Sequence, residues 1–185
     1  MRTLLPIVLL LSTHANAHPM GRSEFSLRNA VRMNKDGLHA VVMAEIPVSV
    51  VIGQLSKRAG GARADQTLVT AWNQEQWAAL SATATLQVDG KDVPVSWTPT
   101  QGVINGRAVD GFFVYAIEAQ LPAAQFEQIK DVKVRLKCDA WDDVPIVFVG
   151  KTQARGTWSV VASDEPTDWT RETSARALNV HFRRP

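Results

Sequence analysis

Two Asp-Gly pairs, each set between short runs that alternate apolar and polar residues, constrain this chain more than any other feature. An Asp-Gly pair reverses an extended chain tightly because both positions tolerate the left-handed backbone of a two-residue hairpin turn. Asp36-Gly37 divides a run starting at Glu24 from one ending at Ile46, and Asp89-Gly90 divides Thr83–Val88 from Val93–Trp97. Each pair predicts a β-hairpin. Phe112–Ala119, the alternating Val132, Val134 and Leu136, Ile146–Val149, Trp158–Ala162 and Ala177–Phe182 predict further strands.

Between the hairpins the period changes. Pro47 stands where a helix can begin, and Val48, Val51, Ile52 and Leu55 recur at helical spacing, although Gly53 weakens the pattern and a continued strand is the alternative. Residues 56–66, SKRAGGARADQ, read as an exposed loop. Leu68, Ala71, Trp72, Ala79 and Leu80 then mark one helical face across 67–81, with Trp77 at its edge. The fold class expected is mainly β, an antiparallel β-sandwich with one or two short helices inserted at about 47–81, forming a single domain over 18–185.

The amino terminus has a different logic. Arg2, the apolar Leu4–Leu11 and Ala15-Asn16-Ala17 have the order of a secretory signal peptide cleaved after Ala17, which implies a periplasmic or otherwise secreted protein. No later apolar run approaches the roughly 18 to 20 residues of a membrane helix. With 20 basic against 18 acidic residues there is no basic field of the kind nucleic acid needs. Cys138 is the only cysteine, which excludes an internal disulfide. Its parity with Val132, Val134 and Leu136 points it to the core, where a thiol behaves as a small hydrophobe.

Cleavage after Ala17 would leave His18-Pro19-Met20-Gly21 as the new start. A free terminal histidine offers its α-amine and ring Nδ1 to one metal, and a second imidazole would complete a three-nitrogen site suited to Cu(II). Pro19 fits, because it has no backbone N–H to become a competing ligand. The second imidazole must come from His39 or His181, and the face of His39 on its strand is not settled by parity. Met20 adds a soft thioether. Asp139, Asp142 and Asp143 form an acidic cluster, but consecutive carboxylates suit a solvated turn better than a metal cage. Against the metal reading, a strand histidine is more often hydrogen-bonded than ligating. Glu45, at a strand end before a helix start, is expected to favour the helix dipole. The tryptophans Trp72, Trp77, Trp97, Trp141, Trp158 and Trp169 are expected to serve the core or its edge rather than a carbohydrate platform.

Three stretches, AHPMG at 17–21, MAEIP at 43–47 and LQVDGKDVPV at 86–95, resemble the exported N-terminal domain of a bacterial membrane-protein family grouped with nickel/cobalt transporter-like and hydrogenase/urease accessory proteins. The resemblance spans roughly residues 17 to 160. It implies a connection to transition metals and a membrane transporter or accessory protein as partner. The family's transmembrane part has no counterpart in these residues, so transport itself is not carried over. Some members are similar in carrying an acidic, calcium-loop-like insertion. Here that place holds GGARADQ at 60–66, with one carboxylate, so calcium is not expected.

No G-x-S-x-G elbow, H-E-x-x-H pair or Walker loop is present. The function expected is therefore a soluble exported accessory or binding protein, not an enzyme. It would bind copper or nickel through His18 with His39 or His181 and Met20, or dock on a membrane partner. The alternatives are a copper oxidative enzyme with a histidine brace, for which Tyr115 is the one candidate axial tyrosine, and a metal-free interaction module.

Overall fold

A computed structural model describes residues 25–105, 111–141, 146–165 and 176–185. The signal segment, His18, Met20, Asp142, Asp143 and Trp169 lie outside the described residues. Ten strands and two α-helices follow in the order β1 (Phe25–Asn34), β2 (Gly37–Pro47), α1 (Val48–Arg58), α2 (Gln66–Thr83), β3 (Ala84–Val88), β4 (Lys91–Asp92), β5 (Thr98–Asn105), β6 (Phe112–Pro122), β7 (Asp131–Cys138), β8 (Ile146–Ala154), β9 (Ser159–Ser163) and β10 (Ala177–Arg183). They form two five-stranded sheets. Sheet A has the order β5-β6-β2-β1-β8 and sheet B the order β4-β3-β7-β10-β9. The mainly β sandwich-like class and the helices between the two hairpins agree with expectation.

Sheet A departs from the antiparallel expectation at one place, because β1 pairs with β8 in parallel, from Phe25 opposite Ile146 to Met33 opposite Ala154. A parallel pair needs a long connection. The intervening chain supplies it, since all of sheet B except β9 and β10 is built between those two strands.

Each sheet buries alternate residues. Leu27, Val31 and Met33 of β1, Leu38, Ala40, Val42, Ala44 and Ile46 of β2, and Tyr115, Ile117 and Leu121 of β6 meet Val132, Val134, Leu136 and Cys138 of β7 and Leu178, Val180 and Phe182 of β10 in one core. Burial of such side chains, about 1.5–3 kcal/mol each, is the main force holding the sheets together. Asn29 occupies an inward slot among these apolar residues and is fully buried. Its Nδ2 donates to the carbonyls of Leu136 at 3.0 Å and Arg176 at 3.2 Å, which ties the middle of sheet A to sheet B.

The helices close one end of this core. α1 turns Val48, Val51 and Leu55 inward and starts directly from β2, with Val48 N–H donating to Gly111 O at 3.0 Å. Asp65, the one carboxylate of the GGARADQ loop, caps α2 by accepting from Leu68 N–H at 2.8 Å. The inward stripe of α2 differs from the expected one. Trp72, Gln76 and Leu80 are buried while Ala71 is exposed. Tyr115 is the reason: its hydroxyl donates to Asn73 Oδ1 at 2.8 Å and its ring meets Trp77 edge-on at 5.9 Å, so the helix presents the Asn73–Gln76–Trp77 side to sheet A.

The second hairpin is shorter than its sequence pattern. Only Lys91–Asp92 forms a return strand, Val93 N–H adds one more bond to Leu86 O at 2.9 Å, and the pairing stops at Pro94, which has no N–H to give. The segment up to Trp97 is irregular, and β5 begins beyond it in the other sheet.

Candidate binding face on the outer side of sheet A

Strand register arranges the outward side chains of sheet A in rows. Gln153 of β8 lies opposite Arg32 of β1, Arg32 opposite His39 of β2, and His39 opposite Gln120 of β6. The next outward row is Lys151, Ala30, Val41, Glu118 and Thr98. The second row is large at its sides and small in the middle. Ala30 and Val41 leave a floor that the longer neighbours cannot fill, and the result is an open cavity of about 680 Å³ that Ser96 and Thr98 complete on one side.

The charges around this floor are unusually free. Among the described residues Arg32, Lys151 and Glu118 form no ion pair, and Arg32 Nε and His39 Nε2 are covered yet have no hydrogen-bond partner. Lys151 and Glu118 stand at opposite sides of one row, three strand spacings or about 14 Å apart at the backbone. The cavity is therefore positive toward β8 and β1 and negative toward β6. Burial lowers the pKa of His39 from its ordinary value of 6.5, and the Arg32 guanidinium lowers it further against smaller opposing effects of Asp36 and Glu118. The shift favours the neutral imidazole, the form that can ligate metal.

His181 occupies the corresponding outward position on the other side of the molecule. β10 turns Leu178, Val180 and Phe182 to the core, so His181 faces out from sheet B while His39 faces out from sheet A. The two histidines cannot share one ion, and a terminal His18 site could use at most one of them. His181 Nε2 is engaged with Asp131 Oδ1 at 2.9 Å, and Arg183 Nε donates to the same oxygen at 2.7 Å. Those two contacts, Arg183 first, lower the pKa of Asp131. Among the described residues no group of three or more His, Cys, Asp and Glu side chains is placed to hold a metal.

Other candidate residues resolve differently. Glu45 faces the outer side of sheet A but is buried, and its carboxylate accepts from Ser26 Oγ at 2.8 Å and Arg28 Nη2 at 3.1 Å across the β1–β2 pair. The expected pairing with the α1 dipole gives way to this cross-strand engagement. Cys138 is fully buried, 3.5 Å from Thr83 Oγ1, and burial raises its pKa, as a core thiol requires. Tyr115 points into the core and burial pushes its pKa up to about 12, so it is remote from both outward histidines and is no axial partner to either. Trp72 and Trp158 are buried, and Trp77, Trp97 and Trp141 pack partly buried against the core. What sequence reasoning missed is the row Lys151–Ala30–Val41–Glu118, because its members come from three distant segments and only register brings them together.

Among the described residues no helix is long and apolar enough to cross a membrane. Comparison with family models, with curated proteins and with solved structures returns no match, so the fold and the face just described carry the functional argument alone.

Proposed function

We propose that this chain is an exported binding or accessory protein, not an enzyme, that engages a small ligand on the outer face of sheet A. The observation that carries this reading is the set of unpaired charged side chains, Arg32, Lys151 and Glu118, standing around a floor of small residues. The test is an amide NMR map of the mature protein against a pooled extract of low-molecular-weight metabolites. Shifts concentrated at residues 30–32, 39–41, 118–120 and 151–153 are expected. Shifts confined to other surfaces, or none, would refute the reading.

A second reading is favoured by the outward placement of His39 and its lowered pKa: uptake of copper or nickel by the amine and ring of His18 with His39 as the third nitrogen. Chain length permits it narrowly. His39 pairs with Arg32, seven positions into the chain from Phe25, a span of about 23 Å, and His18 is tethered seven positions before Phe25, a reach of at most about 25 Å. Tight one-to-one Cu(II) or Ni(II) binding that is lost when one alanine is added before His18, and weakened at least about tenfold by His39→Ala, is expected on this reading. Equal weak binding by all three forms would sink it.

A further inference from the structure

The charge layout of the sheet A cavity specifies more than binding. Arg32 and Lys151 are diagonal neighbours on the parallel pair β1–β8, so a single carboxylate can lie between a guanidinium and an ammonium. Glu118 stands across the Ala30–Val41 floor on β6, and no described cation neutralises it. Gln120 and Gln153 end the neighbouring row with amides that both donate and accept. A ligand that satisfies all of these at once has an anionic end, a cationic end and a short apolar middle carrying hydrogen-bonding groups.

From this we infer that the cavity binds a small zwitterion of short-peptide type, its carboxylate at Arg32 and Lys151 and its ammonium at Glu118. The inference rests on the reading of this face as the binding face, and adds to it the chemical class and direction of the ligand. Size agrees. A cavity of about 680 Å³ is within the roughly 300–1,000 Å³ range of small-molecule sites, and Lys151 and Glu118 stand about 14 Å apart at the backbone with two flexible side chains between them to adjust to a ligand's length. A simple dianion would meet Glu118 unfavourably, and a dication would meet Arg32 and Lys151. An uncharged sugar would leave all three charges unanswered. Only a molecule with opposite ends of opposite sign leaves none of them without a partner.

Trialanine with free ends is the probe, compared with its N-acetylated and C-amidated forms, and binding is read from amide NMR shifts of the mature protein. Free trialanine is expected to move the amides of Ala30, Arg32, Val41, Glu118 and Lys151, and each capped form is expected to bind at least about tenfold more weakly. Glu118→Gln should make the free and acetylated peptides equivalent, while the double variant Arg32→Gln, Lys151→Gln should make the free and amidated peptides equivalent. Glu118 and Lys151 are exposed, so their replacement leaves the core intact. The inference is overturned if trialanine leaves these amides unmoved or if capping either end changes nothing. If the metabolite pool shifts the same amides and trialanine does not, the ligand class is wrong and the binding face stands. If neither shifts them, both readings fall.

Discussion

At the scale of single residues, His39 shows how a neighbour sets a charge state. Burial and Arg32 disfavour the imidazolium in the folded protein, so the folded pKa lies below the 6.5 of the free side chain. Between the two values the unfolded chain binds the extra proton and the folded chain does not. Stability therefore falls as pH drops through that window, and nothing is lost above it. The wild-type protein is expected to lose more of its urea midpoint between about pH 7.5 and about pH 5 than a His39→Gln variant, which has no proton to take up there. Equal losses would show that His39 is ionised as easily in the fold as out of it. Asp131 has the opposite sign. Arg183 and His181 lower its folded pKa, so its contribution is present above the ordinary carboxylate range and is lost as pH falls through the lowered value.

At the scale of elements, the two Asp-Gly turns look alike in sequence and are not alike in structure. Gly90 has φ +77° and open space where a Cβ would sit. Gly37 has φ +120°, and a Cβ there would fall 2.0 Å from the carbonyl oxygen of Leu121, because the first turn is stitched to the chain leaving β6 by the Ala123 N–H to Asp36 O bond at 3.1 Å. Gly90→Ala is expected to cost about 1 kcal/mol, the ordinary penalty of the left-handed region, and Gly37→Ala about 3 kcal/mol or more from backbone collision. Equilibrium urea unfolding of the two variants checks the order, and similar costs would refute the close approach. The helices teach a related lesson. Periodicity located α2 to within two residues at either end, yet its inward stripe rotated toward Asn73 and Gln76 because a hydrogen bond to Tyr115, forty-two positions away, outweighs burying an alanine.

At the scale of the whole molecule, Asn29 links the sheets. Asn29→Ala removes one buried and one part-buried hydrogen bond between the sheets and is expected to lower stability by about 2 kcal/mol in urea unfolding, with the fold retained. A change below about 0.5 kcal/mol would mean that apolar packing alone aligns the two sheets.

The sequence by itself placed most of the strands, the two hairpin turns, a helical insertion before β3 and Cys138 in the core, but it did not mark β5 and it read Val93–Trp97 as a strand that the structure leaves irregular. The placements that hold follow from local periodicity and turn chemistry, which act within a few residues. The parallel pairing of β1 with β8, the outward face of His39, the separation of His39 from His181 and the charged rows of sheet A were decided only in three dimensions. In β2 both faces are apolar enough to be buried, Leu38, Ala40 and Val42 on one and Val41 and Met43 on the other, and a slip of one residue would exchange them. Packing against sheet B makes that choice. Because every member of the binding face takes its place from strand register, the same packing that hides Leu38, Ala40 and Val42 also brings Arg32, His39, Glu118 and Lys151 to one surface.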